Sequence, residues 1–238
     1  MPLISPSTSG VIISCQAPHG SPLRDSHVMA QMALAAQKAG AIGIRAEGAP
    51  DIEAIRAICS IPVIGIRKHD YRGSHVYITA TRADVDTVAD AGAEIVALDA
   101  TPRPRPGGET LQQVIAHAKQ RGMQVMADLA AFEEAERAVE AGADFLGTTL
   151  VPESRVRPGE PNISIIRRLA DAALHCPIIA EGRFATPAHV TAALQAGASA
   201  VVIGRAVTDA YALAGDMVQA AREFPGPRPH SHSARDRT

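Results

Sequence analysis

Short apolar runs alternate with helical patterns along almost the whole chain. Eight runs are rich in β-branched residues and nearly continuous, which is typical of parallel strands buried on both faces. They are Val11–Gln16, Ala41–Arg45, Val63–Lys68, Ile95–Asp99, Gln124–Asp128, Phe145–Leu150, Ile178–Glu181 and Ala200–Gly204. Each is followed by a segment with helical spacing: Ser26–Ala39, Asp51–Ile58, Arg82–Ala91, Glu109–Arg121, Phe132–Ala141, Ser164–Leu174, Pro187–Ala196 and Thr208–Glu223.

Turn residues support this division of the chain. Four helical segments end in a glycine just before the next strand, at Gly40, Gly92, Gly142 and Gly197. Glycine is favoured there because it adopts the left-handed conformation without steric cost. Thr186 followed by Pro187 predicts a helix N-cap with proline in the first turn. A short additional segment, Val76–Thr79, is expected to decorate the loop after the third strand.

Eight strand-then-helix units predict a single-domain α/β fold, the closed (β/α)₈ TIM barrel, over residues 1–224. The competing architecture is an open doubly wound sheet, which usually carries a GxGxxG turn after its first strand. Here the first strand leads into Ser14–Ala17, where that turn is absent. The tail, residues 225–238, is rich in Pro, His, Ser and Arg and is expected to be disordered.

Composition narrows the classes of function. The 238 residues are 46% hydrophobic, carry a net charge of −2 and include no Trp, so one large core is expected and nucleic acid is not expected as a partner. No run approaches the roughly 20 apolar residues of a membrane span. The N-terminus lacks the pattern of a signal peptide, and three scattered cysteines suit a reducing compartment, so a cytoplasmic location is expected.

The ends of the predicted strands carry polar residues. In a TIM barrel the chemistry lies at the C-terminal ends of the strands. Here the strands end in Gln16, Arg45, Lys68, Asp99, Asp128, Thr148–Thr149, Glu181 and Gly204. Because polar groups beside a barrel core cost free energy unless they are paired or used, this ring favours a functional site at one mouth. The histidines do not pair into ligand spacing at these positions, so neither a metal nor another cofactor is expected.

Lys68 and Glu181 are the predicted acid/base pair. They follow strands three and seven, on different sides of the mouth, which suits removal of a proton from one face of a carbon and its return on the other. Lys68 would need a pKa lowered by burial or by neighbouring cations, and Arg45 and Arg67 are candidates. Three alternatives remain at this point: a structural ion pair that seals the barrel, a Schiff base on Lys68, and a one-base route in which Lys68 both removes and returns the proton.

Two glycine turns predict a phosphate site. Loops after strands seven and eight cradle a phosphate in many TIM barrels. Here they read Glu181-Gly182-Arg183 and Gly204-Arg205-Ala206. Their glycines allow close approach of backbone N–H groups, and their arginines add charge-assisted hydrogen bonds. Ordinary tight turns are the alternative interpretation.

The motifs taken together resemble one family, the N-acylglucosamine-6-phosphate 2-epimerases of sialic acid catabolism, over about residues 11 to 215. The matching segments are SCQA (14–17), GSPL (20–23), GIRAEG (43–48), PVIGIRK (62–68), DY (70–71), VYIT (76–79), VDTVADAGAEIVALDAT (85–101), RPRP (103–106), MADL (126–129), GTTL (147–150), IIAEGR (178–183), TP (186–187) and VVIGRAVT (201–208). The chain departs from the pattern at residues 151–161, at Arg205 and at Asp209-Ala210.

The resemblance implies cofactor-independent C2 epimerisation of N-acetylmannosamine-6-phosphate to N-acetylglucosamine-6-phosphate. It implies catalytic roles for Lys68 and Glu181. It implies sugar contacts from Gln16, Arg45, Asp99, Asp128 and Thr148, and phosphate contacts from Gly182, Arg183, Gly204 and Arg205. A phosphosugar aldolase and a non-catalytic sugar-phosphate-binding barrel remain alternatives. We also expect a homo-oligomer, most plausibly a dimer.

Overall fold

The computed structural model describes residues 9–152, 154 and 160–224. Its strands are β1 (Gly10–Cys15), β2 (Gly43–Glu47), β3 (Val63–Ile66), β4 (Ile95–Asp99), β5 (Gln124–Asp128), β6 (Phe145–Gly147), β7 (Ile178–Ala180) and β8 (Ala200–Ile203). Its helices are α1 (Ser26–Lys38), α2 (Ala49–Arg56), α3 (Arg82–Asp90), α4 (Leu111–Gln120), α5 (Ala135–Glu140), α6 (Ile163–Asp171), α7 (Pro187–Gln195), α8 (Arg205–Thr208) and α9 (Ala210–Glu223). Short 3₁₀ turns, Pro106–Gly108 and Phe132–Glu134, precede α4 and α5.

The eight strands are parallel and close into a barrel, with β1 paired to β8, which confirms the predicted fold. Alternate strand residues face two separate cores. One core fills the barrel interior and includes Ile12, Ile64 and Phe145. The other lies between the strands and the surrounding helices and includes Ile44 and Leu98. This alternation decides which side chains reach the mouth, because residues two apart share a face.

The predicted turn chemistry is present. Gly40, Gly92, Gly142 and Gly197 all have a positive φ, from 91° to 104°. Thr186 caps α7 by accepting a hydrogen bond from the backbone N–H of His189, and Pro187 occupies the first turn. These local signals end each helix where the following strand must begin, so that the repeat can close.

Several predicted boundaries were wrong. β2 continues to Glu47, so Arg45 is not its last residue but lies inside the barrel. β3 ends at Ile66, and Lys68 instead forms an isolated antiparallel bridge with Ile78, so the Val76–Thr79 segment packs directly beside it. The predicted helix Thr208–Glu223 is divided at Asp209, whose φ of −100° and ψ of 64° are not helical.

The last helix differs from the others. α1 to α7 each bury residues, whereas none of the residues of α9 is buried. Within the described ranges, no helix has the length and apolarity to cross a membrane. The expected disorder of residues 225–238 falls outside the part of the chain that the structure describes.

Candidate active site

A buried arginine organises the barrel mouth. Arg45 is paired in register with Ile64, an interior residue, so it also points inward, and its side chain is 1% exposed. Its guanidinium forms a two-pronged contact with Asp128, with Nη1–Oδ1 at 3.2 Å and Nη2–Oδ2 at 2.5 Å. Nη1 also lies 2.6 Å from Oε2 of Glu181. Arg45 therefore holds two carboxylates at fixed positions.

Gly147 provides the space for this arrangement. A Cβ at Gly147 would lie 2.5 Å from Cε of Met126 and 2.8 Å from Oδ1 of Asp128. Those distances are shorter than ordinary van der Waals contacts, and Asp128 is held by Arg45 and cannot shift freely. A side chain at position 147 would therefore displace the Asp128 carboxylate, which orients Arg45.

Glu181 is fixed through its backbone as well as through its carboxylate. Thr148 Oγ1 donates a hydrogen bond to the carbonyl of Glu181 (2.7 Å) and accepts one from its N–H (2.9 Å). Thr149 Oγ1 lies 3.3 Å from Glu181 Oε2 and 2.7 Å from Asp128 Oδ1. The Glu181 side chain remains 17% exposed, so its carboxylate is accessible from the cavity.

Lys68 is positioned by the loop after β3. The bridge to Ile78 fixes its backbone, and its N–H donates to Oε1 of Glu47 (3.3 Å). Its Nζ donates to Oε1 of Gln16 (2.7 Å), whose Nε2 in turn donates to Oγ of Ser14 (2.7 Å). The Lys68 amine is thus oriented by a neutral amide rather than by an ion pair with Glu181.

Both predicted acid/base groups line one cavity of about 230 Å³ at the C-terminal end of the barrel. Its lining residues are Ser14, Gln16, Arg45, Ile66, Lys68, Tyr77, Ile78, Thr149, Glu181, Gly204, Arg205, Thr208 and Asp209. A larger cavity of about 750 Å³ shares Gln16, Lys68, Tyr77 and Asp209 with it and adds Glu47 and Arg24. The two spaces together provide a site with charged and polar walls that is open to solvent.

Burial, together with the neighbouring charges, shifts the pKa values of the acid/base pair towards each other. Partial burial of the Lys68 amine lowers its pKa, and the nearby charge of Arg45 lowers it further. The rest of the side chain is exposed to solvent, so water moderates the effect. Burial raises the pKa of Glu181, with opposition from Arg45 and reinforcement from Asp128. Burial also lowers the pKa of Arg45, but Asp128 and Glu181 outweigh this, so it is raised overall and the guanidinium stays charged.

Three predicted sugar-binding residues lie behind the cavity rather than in its lining. Asp99 is fully buried; its Oδ1 accepts from the backbone N–H of Thr101 (2.8 Å), and Arg103 lies 3.4 Å from its Oδ2. Thr148 is fully buried against the Glu181 backbone. Asp128 is likewise 0% exposed and reaches the cavity through Arg45.

The predicted phosphate residues fall into two groups. Gly204 and Arg205 line the smaller cavity, and the Arg205 guanidinium donates a hydrogen bond to the Asp216 carboxylate of α9 (2.8 Å). Gly182 and Arg183 follow Glu181 in the chain but are not among the residues that line this cavity, and both have a positive φ, at 115° and 63°. Arg183 donates to the carbonyl of Glu160 (3.0 Å) and to Oδ1 of Asn162. The Arg205–Asp216 pair is highly exposed, so an incoming anion could displace it at little cost.

Sequence reasoning assigned no individual role to four residues of this site, although it placed Thr149 beside Thr148 at a strand end. Thr149 lies between the two carboxylates, and Glu47 follows Arg45 on the inward face of β2. Tyr77 lines both cavities, and burial raises the pKa of its phenol, so it stays a hydrogen-bond donor. Asn162 is 0% exposed, and its Nδ2 has no hydrogen-bond partner among the described residues. A Cβ added to Gly182 would lie 3.0 Å from this Nδ2.

Two of these residues could have been found by strand alternation. Phe145 faces the barrel interior, so residues two and four positions later, Gly147 and Thr149, share that face. The same rule places Glu47 beyond Arg45. Asn162 had no such signal, because it follows a loop. Among the described residues no group of three His, Cys, Asp or Glu side chains forms a candidate metal site.

Comparison with known proteins identifies the family. A family model described as "Putative N-acetylmannosamine-6-phosphate epimerase" matches residues 29–223. Proteins from Escherichia coli O157:H7 and Shigella dysenteriae serotype 1 (strain Sd197), both named "Putative N-acetylmannosamine-6-phosphate 2-epimerase", are each 43% identical to the chain over 206 residues, covering 85% of this chain and 87% of each relative.

Solved structures agree with this assignment. The N-acetylmannosamine-6-phosphate 2-epimerase from Clostridium perfringens matches with a TM-score of 0.84 and 34% identity, covering 89% of this chain and 93% of that one. A thiamine phosphate pyrophosphorylase from Pyrococcus furiosus, at 17% identity and a TM-score of 0.59 over 94% of this chain and 100% of that one, shares the fold alone. The chain therefore belongs to the N-acetylmannosamine-6-phosphate epimerase family.

Proposed function

We propose that this protein interconverts N-acetylmannosamine-6-phosphate and N-acetylglucosamine-6-phosphate by removing the C2 proton and returning it on the opposite face. The observation that carries the proposal is that Lys68 and Glu181, from different sides of the barrel, line one small cavity with Arg45 between them. The names of the relatives support the substrate, and no step of the reaction requires a redox or group-transfer cofactor.

The reaction begins with the open-chain sugar. Only the aldehyde form places C2 beside a carbonyl, where loss of its proton gives a stabilised enolate. One member of the Lys68/Glu181 pair accepts that proton, and the other donates a proton to the opposite face. Because burial lowers the pKa of Lys68 and raises that of Glu181, both protonation states of each group become accessible nearer neutral pH.

Charge that develops on the aldehyde oxygen needs a donor. Arg45 is the candidate, because it is permanently charged and fixed by Asp128 before substrate arrives. Tyr77 offers a second, neutral donor on the same cavity wall. Such preorganised donors stabilise the transition state without reorganisation, and loss of one typically costs a hundredfold or more in rate, on the order of 10²–10³.

The remaining residues orient the sugar and its phosphate. Gln16 holds the Lys68 amine and contacts the cavity directly, so it is proposed to bind a sugar hydroxyl or the N-acyl group. Asp99, Asp128 and Thr148 act from behind the cavity wall. Gly204 and Arg205, with Gly182 and Arg183 adjacent, are proposed to hold the 6-phosphate through backbone N–H groups and guanidinium contacts.

A coupled assay tests the proposal. The purified protein is incubated with N-acetylmannosamine-6-phosphate and an N-acetylglucosamine-6-phosphate deacetylase, and acetate release is followed. Activity is expected with the phosphorylated sugar. With unphosphorylated N-acetylmannosamine, whose product is not a substrate of the coupling enzyme, epimerisation is followed directly by proton NMR and most of the activity is expected to be lost. Lys68→Ala and Glu181→Gln should each lose at least about a hundredfold in kcat. Full turnover in both variants would overturn the proposed pair.

Borohydride treatment in the presence of substrate separates the proposal from Schiff-base chemistry. An aldolase-like enzyme would be trapped covalently on Lys68, and the epimerase would not. Tight sugar-phosphate binding without turnover would instead indicate a non-catalytic barrel.

A cytoplasmic location is part of the proposal, since Cys15, Cys59 and Cys176 are all free.

A further inference from the structure

A further cavity opens beside the loop that follows β4. It measures about 490 Å³ and lies between that loop, the first turn of α4 and α5. This volume falls within the roughly 300–1,000 Å³ of small-molecule sites. Among the described residues, none that lines it also lines either of the two cavities that contain Lys68, so it is a separate space. We call it the β4 pocket.

Two arginines of the β4 pocket carry charges that no acidic side chain neutralises. Arg105 is 7% exposed, and its guanidinium donates hydrogen bonds to three main-chain carbonyls. Arg137 donates to the carbonyl of Ala100 (2.8 Å). Within the ranges that the structure describes, neither guanidinium has a carboxylate as an ion-pair partner. Because a buried cation without a counter-charge is costly, an anion would be stabilising beside Arg105.

The other charged side chains of the β4 pocket do not remove this excess. Arg103 lies 3.4 Å from the Asp99 carboxylate, which is itself outside the lining. Glu109 already accepts two hydrogen bonds from Arg82, at 2.9 Å from its backbone N–H and 3.1 Å from its side chain. Glu140 is exposed at the end of α5, where water screens its charge. The side formed by the two unpaired arginines therefore remains positively charged.

The two unpaired arginines also repel each other. Burial lowers the pKa of the Arg105 guanidinium, and the positive charge of Arg137 also lowers it. Asp99 and Glu109 act in the opposite direction without cancelling the shift. An anion between the two guanidinium groups would compensate the buried charge and offset the repulsion, through charge-assisted hydrogen bonds to both.

The first turn of α4 adds neutral donors to the same pocket. Thr110 and Gln113 cap each other, since the side chain of each accepts from the backbone N–H of the other (3.2 Å and 2.9 Å). Leu111 and Gln112 line the pocket, and their N–H groups have no acceptor among the described residues. Free N–H groups at the positive end of a helix favour an anion, so they add to the attraction of the arginines.

We propose that the β4 pocket binds a sugar phosphate, with its phosphate group between Arg105, Arg137 and the first turn of α4. A phosphate monoester supplies up to two negative charges and several acceptor oxygens, which matches two unpaired arginines better than a single carboxylate does. The pocket has room for more than phosphate, since a water molecule takes about 30 Å³ and a phosphate group only a few times more. Gln112 and Glu140 also line it and can hydrogen-bond sugar hydroxyl groups. The proposal does not rest on the proposed catalytic function.

Nuclear magnetic resonance of the isotope-labelled full chain tests the proposal at the pocket itself. Glucose-6-phosphate is titrated beside sodium chloride of the same ionic strength, and the backbone amide signals of Leu111 and Gln112 are followed. These signals should shift saturably with glucose-6-phosphate and much less with the salt. The amide signals of Gly204 and Arg205 report the proposed catalytic phosphate site separately, so failure of one site is distinguishable from failure of the other. Unmoved signals of Leu111 and Gln112 would overturn the proposal.

Arg137→Gln is the variant to compare, because Arg137 is exposed, whereas replacing the buried Arg105 would leave three carbonyls without their donor. The dissociation constant measured at the Leu111 signal should rise at least about tenfold, for the loss of one charge-assisted contact. Arg121→Gln is the matched control. It removes the same charge at the other end of the ten-residue α4, about 15 Å away, and should leave the constant unchanged. Equal weakening in both variants, or none in Arg137→Gln, would overturn the proposal.

Two further probes test the class of ligand. Inorganic phosphate should bind more weakly than glucose-6-phosphate, because it lacks the hydroxyl groups. Acetate, which carries a single charge, should bind at least about tenfold more weakly than inorganic phosphate. Inorganic phosphate that binds as tightly as the ester would overturn the assignment to a sugar phosphate, and acetate that binds as tightly as inorganic phosphate would overturn the assignment to a phosphate.

Discussion

Replacing Arg45 by methionine would leave a fully buried carboxylate without its cation. Asp128 is 0% exposed and would lose both of its hydrogen bonds to Arg45, at 3.2 Å and 2.5 Å, keeping only the hydroxyl of Thr149. Breaking a buried ion pair from one side costs about 3–5 kcal/mol. For a chain of this size about 2–4 °C is lost per kcal/mol, so Arg45→Met should lower Tm by about 6–20 °C.

The double variant Arg45→Met/Asp128→Leu tests the reasoning behind this number. The penalty arises mainly from the orphaned charge of Asp128, because Glu181, which also loses Arg45, is 17% exposed and keeps contact with water. Removing both members of the Arg45–Asp128 pair should therefore restore most of the lost stability. Arg82→Met is the matched control, because that arginine is 54% exposed in its pair with Glu109 and its loss should cost less than about 1 kcal/mol.

Thermal unfolding followed by circular dichroism gives all four values on purified protein. Two results would refute the reasoning. One is an Arg45→Met variant that melts within about 2 °C of the wild type, which would correspond to less than about 1 kcal/mol. The other is a double variant no more stable than the single one. Both would mean that Asp128 finds solvent or a proton more easily than its burial implies.

Two further predictions concern catalysis. The pH profile of kcat should be bell-shaped, because burial raises the pKa of Glu181 and lowers the pKa of Lys68. The acid limb should lie above the ordinary glutamate pKa of about 4.3, and the alkaline limb below the ordinary lysine pKa of about 10.4. Limbs at the ordinary values would contradict the assignment. Asn162→Leu removes the side-chain oxygen that accepts a hydrogen bond from Arg183. It should raise KM by about 10–100-fold and weaken inhibition by inorganic phosphate, while kcat changes little. An unchanged KM would show that Asn162 does not position the phosphate loop.

The fold was predictable because the signals were local and repeated. Each strand is an apolar run and four helices end at a glycine, so the eight-fold repeat requires no knowledge of distant contacts. The location of the site followed from the same repeat. Gln16, Lys68, Glu181 and Gly204 all line the cavity, because each continues the inward face of its strand to the mouth.

The details that could not be predicted depend on tertiary contacts. Thr148 and Thr149 are adjacent and identical in type, and only the interior position of Phe145 decides that Thr149 faces the carboxylates. Arg45 was expected at a strand end, but β2 continues its pairing with β3 beyond Arg45, as far as Glu47. The exposure of α9 has no sequence signal, since its amphipathic pattern is the same whether or not another surface covers it.

Proton exchange at C2 tests the central claim most directly. Epimerisation is run in D₂O and followed by proton NMR, with the wild type, Lys68→Ala and Glu181→Gln compared after circular dichroism has shown that each is folded. We predict that solvent deuterium enters C2 of the product with the wild type, and that each variant loses epimerisation by about 10²–10⁴-fold. Epimerisation at the wild-type rate in both variants would contradict the assignment of Lys68 and Glu181 as the groups that move the proton.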